Sequence, residues 1–233
     1  MIRQMKGLMY YYVTDSKRNL TIFWSILLST LIAAVFLAYF FLKTDDPQMM
    51  FSIPTALYIF CAIFGFVIAK HKVDFTIKMG AVRKNIFISF FIFFLGLSLF
   101  NAVAVSTVHG LISYALETFS IDSYVLMHPA DLLTNTWLSR VITDTSIFFV
   151  ILTSFYLFGL IFYRYGLIGG SLVAAIIVIT LLFLIAKGVL IDFIKDIYVS
   201  LDMMLFYQIF GIGIIMYGLT WFLIRKITIV KAS

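Results

Sequence analysis

The sequence predicts an all-α polytopic membrane protein with six transmembrane helices and an N-terminal amphipathic helix at the membrane interface. Of its 233 residues, 63% are hydrophobic and 12% are charged, and the mean hydropathy is +1.09. Soluble domains are about 45–50% apolar and about 25% charged. This composition excludes a soluble enzyme, a disordered tail and a nucleic-acid-binding domain. Two further observations support a membrane protein. The apolar stretches are long and uncharged, and lysine and arginine are unevenly distributed between them.

Six stretches are long enough to cross a bilayer, since a helix needs about 20 apolar residues to span about 30 Å of hydrocarbon. They are Leu20–Leu42, Met49–Ala69, Ile86–Val108, Thr145–Tyr163, Gly166–Ala186 and Met203–Ile224. The first is too long for a signal-peptide core and no small-residue cleavage site follows it, so we expect it to be retained. The predicted membrane domain is then 20–224, with a segment 1–19 before it and a tail 225–233 after it.

Lysine and arginine are concentrated on one side of the predicted membrane. Thirteen of the 17 basic residues lie in the N-terminal segment, in the loops after spans two and four, or in the C-terminal tail. Nine of the 11 acidic residues lie on the other side. Because basic loops stay in the cytoplasm, we expect both termini to be cytoplasmic. The net charge of +6 then reflects topology, and anionic lipid headgroups rather than nucleic acid are the expected partners of these cations.

The N-terminal segment 1–19 has an apolar face at helical spacing. This face contains Met5, Leu8, Met9, Tyr12 and Val13. Basic side chains lie nearby, and the three consecutive tyrosines suit the headgroup layer, where an aromatic ring is half buried and its hydroxyl stays hydrated. The pattern predicts an amphipathic helix on the cytoplasmic surface. Binding to a partner protein is the alternative.

The loop between spans two and three, residues 70–85, reads KHKVDFTIKMGAVRKN. Phe75, Met79 and Val82 fall on one helical face, and a neighbouring face carries the i, i+4 pair Asp74–Lys78. The pattern predicts a short helix along the cytoplasmic surface that a glycine interrupts. A simple amphipathic loop with basic anchors is the alternative.

The longest segment on the outer side is 109–144, with four acidic residues and one arginine. Its apolar residues around Leu126, Leu132 and Trp137 predict an amphipathic helix at the outer interface, and 189–201 also mixes apolar with acidic residues. We expect both segments to be structural caps. The three histidines of the chain are isolated in sequence, so no metal site is predicted.

The spans have no ionisable residue near their centres, which argues against a proton-coupled pump and an intramembrane protease. The sequence contains no HExxH, GxSxG or P-loop motif. If the protein uses energy, another chain must supply it. Glycines at the start of the fifth span and along the sixth suit close helix packing.

These features resemble the permease subunits of type-2 ABC transporters, a superfamily that includes bacterial drug, bacteriocin and peptide-toxin exporters. The likeness rests on the six spans, the amphipathic N-terminal helix and the stretch 74–87, DFTIKMGAVRKNIF. Many family members carry an acidic residue and Phe here, then a turn with Gly, then Arg-Lys and an aromatic residue. In the family this region is the coupling helix that docks on the ATPase. The chain has no large extracellular domain, so it resembles the compact bacterial members.

The resemblance implies which residues couple to an ATPase. They are Asp74, Phe75, Lys78, Met79, Gly80, Val82, Arg83 and Lys84. The apolar residues of this set would dock on the ATPase, and its basic residues would form a charged rim. The chain would be a non-catalytic permease of a bacterial cytoplasmic membrane and would bind no cofactor itself. Separate ABC ATPase subunits would hold ATP and Mg, and a second permease copy or a paralogue would complete the pathway.

Uncharged, Phe-rich spans suit the export of a hydrophobic or amphipathic cargo, such as a peptide, toxin, antibiotic or lipid. Two other functions stay open at this point. One is a non-transporting membrane scaffold, sensor or immunity protein. The other is a secondary transporter, against which the lack of charge within the spans counts.

Overall fold

A computed structural model of the chain describes residues 2–41, 49–119, 124–133, 135–199 and 201–227. The helices are α1 (Ile2–Phe41), α2 (Ile53–Lys78), α3 (Arg83–Thr118), α4 (Trp137–Ala186), α5 (Val189–Val199) and α6 (Met203–Ile224). Strands β1 (Met49–Phe51) and β2 (Tyr124–Leu126) pair in parallel, and Pro129–Leu132 is a 3₁₀ turn. The described part of the chain is therefore all-α apart from this small sheet. Five of its helices, all except α5, are long and apolar enough to cross a membrane.

Helix α1 is one continuous helix of 40 residues, about 60 Å long. We expected a separate interfacial helix over 1–19, but residues 2–19 form the first half of α1. The apolar face of this half packs on α3. Leu8 and Tyr12 are buried, and the Tyr12 ring stacks on Phe90 with 4.2 Å between centroids. Leu8 and Tyr12 of the face that we expected at the membrane surface are therefore buried within the protein.

Helices α1 and α3 run parallel to each other along most of their length. Near their starts, the Asn85 side-chain amide donates a hydrogen bond of 2.5 Å to the side-chain oxygen of Gln4. Further along, the Trp24 indole donates one of 3.2 Å to the side-chain oxygen of Asn101. The two contacts keep nearly the same offset in sequence, so both helices begin at the same end of the bundle.

Helices α2 and α4 also run parallel, and they approach most closely at two glycines. A Cβ on Gly65 would lie 2.6 Å from the Leu152 carbonyl oxygen, and one on Gly159 would lie 2.6 Å from the Phe66 carbonyl oxygen. Both distances are too short for any side chain, so the backbones pack directly. The sequence analysis considered other glycines for this role and did not identify these two.

Helix α4 consists of two helical stretches that meet at Gly166. The φ of 71° and ψ of −171° at this residue are not helical, and residues other than glycine rarely adopt these backbone angles. A Cβ on Gly170 would lie 2.4 Å from Cγ of Phe162, whereas residues eight apart in a straight helix are separated by a rise of about 12 Å. The chain therefore folds back on itself at Gly166, where a turn was expected between the fourth and fifth apolar stretches.

An aromatic core lies where α3, α4 and α6 meet. Phe90, Phe94, Tyr156 and Tyr217 are buried, and their rings contact one another. Most side chains after Gly166 in α4 are instead exposed and apolar. A continuous apolar surface of this extent is typical of a surface that faces lipid rather than water.

The outer segment does not form the amphipathic helix expected around Trp137. Of the apolar residues named for it, Leu126 lies in β2 and Leu132 in the 3₁₀ turn, whereas Trp137 is the first residue of α4. The turn begins at Pro129 and is stabilised at its start by a capping box between His128 and Asp131. Helix α3 also extends to Thr118, into the segment expected to be a loop. Residues 120–123 and 134 lie outside the described part of the chain.

Candidate functional site

The segment expected to contact an ATPase lies at the turn between α2 and α3. Residues 70–78 are the last turns of α2 rather than a separate surface helix, and the chain then reverses over 79–82. Gly80 has a φ of 75°, and the Ala81 amide donates a hydrogen bond of 3.1 Å to the Thr76 carbonyl. This is the usual left-handed termination of a helix. The turn is therefore a hydrogen-bonded extension of α2, and displacing it would displace α2.

Three apolar side chains of this turn are exposed. Phe75 is 42%, Met79 is 69% and Val82 is 58% exposed. The Phe75 ring also stacks on Tyr11 of α1, with 4.8 Å between centroids. We call Phe75, Met79 and Val82 the apolar tip. Such a cluster at the end of a bundle is typical of a surface that a partner or a membrane covers.

The expected ion pair within this segment is confirmed. The Lys78 ammonium lies 2.6 Å from the Asp74 carboxylate, which also accepts a hydrogen bond of 2.8 Å from the Tyr163 hydroxyl of α4. Tyr163 lies three residues before the fold-back at Gly166. The pair that the sequence predicted within α2 therefore also connects α2 to α4.

Arg83, expected in a charged rim, is engaged within the chain. Its guanidinium donates hydrogen bonds of 2.5 Å to the Arg225 carbonyl and 2.7 Å to the Ile227 carbonyl. Carbonyls at a helix C-terminus lack partners within the helix, and a cation interacts favourably with them. Arg83 thus holds the end of α6 against the start of α3, while Lys84 beside it is exposed.

Lys72 has a role that the sequence analysis missed. It is one of the basic residues expected on the cytoplasmic side, but it is only 5% exposed. Its ammonium lies 3.1 Å from the Asp15 carboxylate, and it donates hydrogen bonds to Ser16 Oγ at 2.6 Å and to the Tyr12 carbonyl at 3.2 Å. The available signal was its position four residues after Ile68, on the apolar face of α2.

A second buried polar cluster lies at the other end of the bundle. Asp144 is fully buried, and its carboxylate accepts a hydrogen bond of 3.1 Å from the Tyr58 hydroxyl and lies 3.1 Å from His128 Nε2. The Ala130 amide donates to His128 Nδ1 at 3.0 Å, so Nε2 carries the proton and donates to Asp144. The cluster joins the start of α2, the outer loop and α4.

Two of the three histidines, which are separated in sequence, lie close together at this end of the bundle. The rings of His109 and His128 lie 5.5 Å apart in a T-shaped contact. Within the described ranges, no group of three or more His, Cys, Asp or Glu residues is arranged to hold a metal ion. The cluster is therefore a hydrogen-bonded link between elements that are distant in sequence.

Comparison with known proteins found no match to this chain among protein-family models, curated proteins or solved structures.

Proposed function

We propose that this chain is the transmembrane permease subunit of an ATP-driven ABC exporter, coupled to a separate ATPase chain. The observation that carries the proposal is the apolar tip, three exposed apolar side chains on a hydrogen-bonded turn at the end of α2. The cargo would be a hydrophobic or amphipathic molecule, such as a peptide, toxin, antibiotic or lipid. The chain itself has no catalytic role, and its ATPase partner holds ATP and Mg.

The proposed topology has six spans, with the two stretches of α4 crossing separately. The stretch after Gly166 extends to Ala186, which at about 1.5 Å per residue is about 30 Å and matches the hydrocarbon thickness. Both termini and the α2–α3 turn then lie in the cytoplasm of a bacterial cell, in agreement with the basic residues at this end. Two copies of the chain, or one copy and a paralogue, enclose the pathway.

Coupling would proceed through contacts that surround the turn. Force on the apolar tip reaches α1 through the Phe75–Tyr11 stack and α4 through the Asp74–Tyr163 hydrogen bond. It reaches α6 through Arg83, which holds the end of that helix. ATP-driven movement of the partner then biases the bundle between inward-facing and outward-facing states.

The test is to purify the tagged chain gently from its native membrane and to measure bound ATPase and ATP hydrolysis. Phe75→Asp and Met79→Asp should each remove the ATPase and the hydrolysis, because a charge in an apolar contact is costly to bury. The matched control is Met127→Asp, which changes a methionine that is 49% exposed at the opposite end of the bundle.

A stoichiometric P-loop ATPase that is lost only in the tip variants supports the proposal. Wild-type protein that is intact and free of ATPase contradicts it, and the non-transporting scaffold, sensor or immunity protein becomes the better interpretation. Normal transport by the Phe75→Asp, Met79→Asp double variant would contradict the coupling mechanism even if an ATPase is bound.

A further inference from the structure

A long apolar groove separates parts of α1 and α3 that run side by side. Its volume is about 620 Å³. Leu20, Trp24 and Leu28 line it from α1, and Gly96, Leu97 and Phe100 line it from α3. The groove is independent of the α2–α3 turn and of any ATPase.

Gly96 leaves part of the groove open because it has no side chain. It lies on the face of α3 that is directed at α1, one turn from Phe100. A Cβ on Gly96 would meet no atom within 4 Å, so the space beside it is open. On the opposite wall, the hydrogen bond between Trp24 and Asn101 fixes the indole. The concave surface is thus formed by side chains of α1 and α3 alone.

The groove extends along α1 from Met9 to Leu28, and it is positively charged part-way along, at Lys17. Lys17 lines it and Arg18 follows, and both side chains are exposed with no ion pair to any described residue. The nearest carboxylate in sequence, Asp15, already pairs with Lys72. No acidic residue lies on α1 between Lys17 and Phe41. The charged part therefore attracts an anion. From Leu20 to Leu28 the groove is mainly apolar, and the hydroxyls of Thr21 and Ser25 there already donate to carbonyls of α1.

The part of the groove beyond Lys17 matches the depth of one leaflet of a bilayer. Leu28 follows Lys17 by eleven positions, which corresponds to a rise of about 16 Å. Half of a hydrocarbon core of about 30 Å is about 15 Å. Lys17 also stands where α1 changes from charged to uninterrupted apolar sequence, which is the depth of lipid headgroups. A lipid chain whose headgroup is at Lys17 would end near Leu28.

We propose that the α1–α3 groove is a binding site for one anionic phospholipid, with its phosphate on Lys17 and one acyl chain over Gly96. An apolar gap without an occupant loses dispersion contacts along both walls, and an acyl chain restores them. The Lys17 cation selects an anionic headgroup over a zwitterionic one.

The test is native mass spectrometry of the full chain in detergent, titrated with palmitoyl-oleoyl phosphatidylglycerol or with the corresponding phosphatidylcholine. We expect one phosphatidylglycerol to bind in preference to phosphatidylcholine. Lys17→Gln should reduce this preference by about five-fold, the effect of one lysine near an anionic headgroup. Arg18→Gln, which removes a neighbouring cation that does not line the groove, should leave most of the preference intact.

Gly96→Phe should fill the groove and abolish the bound lipid. Gly218→Phe is its control, because a Cβ there also meets no atom within 4 Å but the residue lies on α6 outside the groove. Equal binding of the two lipids, or unchanged binding in Gly96→Phe, would overturn the proposal. So would a dimer that Gly96→Phe converts to a monomer, because the groove would then be covered by a second copy of the chain.

Discussion

The Lys72 ammonium lies 3.1 Å from the Asp15 carboxylate, and the two side chains are very unequally exposed, at 6% for the lysine and 51% for the aspartate. The pair joins α1 to α2 about one turn before Phe75, the first residue of the apolar tip. Because water reaches the aspartate but hardly reaches the lysine, the two partners should respond differently to removal of the other.

Asp15→Ala should destabilise the protein more than Lys72→Met does. The first change leaves a buried cation with Ser16 and the Tyr12 carbonyl as its hydrogen-bond partners and no counter-charge, whereas the second leaves a carboxylate that water can solvate. We expect a cost of about 1–2 kcal/mol for Asp15→Ala, which is below that of a fully buried pair because Asp15 is half exposed. Thermal unfolding of the detergent-solubilised variants measures the order. An equal loss of stability in both variants would show that the burial of the lysine does not determine the cost of breaking the pair.

Asp144→Asn should destabilise the outer end of the bundle by about 1–3 kcal/mol, since a buried donor from His128 or Tyr58 loses its acceptor. The matched control is Asp192→Asn on α5, where the carboxylate is 75% exposed and the change should cost less than about 0.5 kcal/mol. Hydrogen exchange at the start of α4 should rise only in the first variant. Equal protection in both would mean that Asp144 does not organise this end.

Gly159→Ala should separate α2 from α4 and cost about 1–3 kcal/mol, because the new methyl group meets the Phe66 carbonyl at 2.6 Å. Gly211→Ala has open space around the new methyl group and should be neutral or stabilising by up to about 1 kcal/mol, as is usual within a helix. The melting temperatures of the two single variants test this pair. A Gly159→Ala variant as stable as the wild type would contradict the direct contact of the two backbones.

Single cysteines at positions 164 and 187 should react from opposite sides of the membrane if the two stretches of α4 are separate spans. Arg164→Cys should react with an impermeant maleimide only after cells are permeabilised, and Lys187→Cys should react in intact cells. The native Cys61 is fully buried and serves as the unreactive background. Labelling of both positions from one side would show that α4 does not cross twice.

The long apolar helices and the break after Arg164 could be predicted from the sequence, because apolar length and glycine position are local properties. The Asp74–Lys78 pair was predictable for the same reason, since both partners lie on one helix. The partners of Arg83 could not be predicted, because its contacts with the end of α6 join residues more than 140 positions apart. Nothing in a single sequence specifies which helix faces which.

The sequence by itself determined that this is an apolar, helical, basic chain with long spans, because burying about 20 apolar residues per span depends only on composition and order. Only the tertiary structure decided that residues 2–19 pack on α3, that Lys72 is buried beside Asp15, and that Asp144 meets His128 and Tyr58. The physical reason is that a polar group is stable in an apolar environment only when a partner satisfies it. That partner comes from the helix that packs alongside. The sequence pattern of a single helix does not identify it.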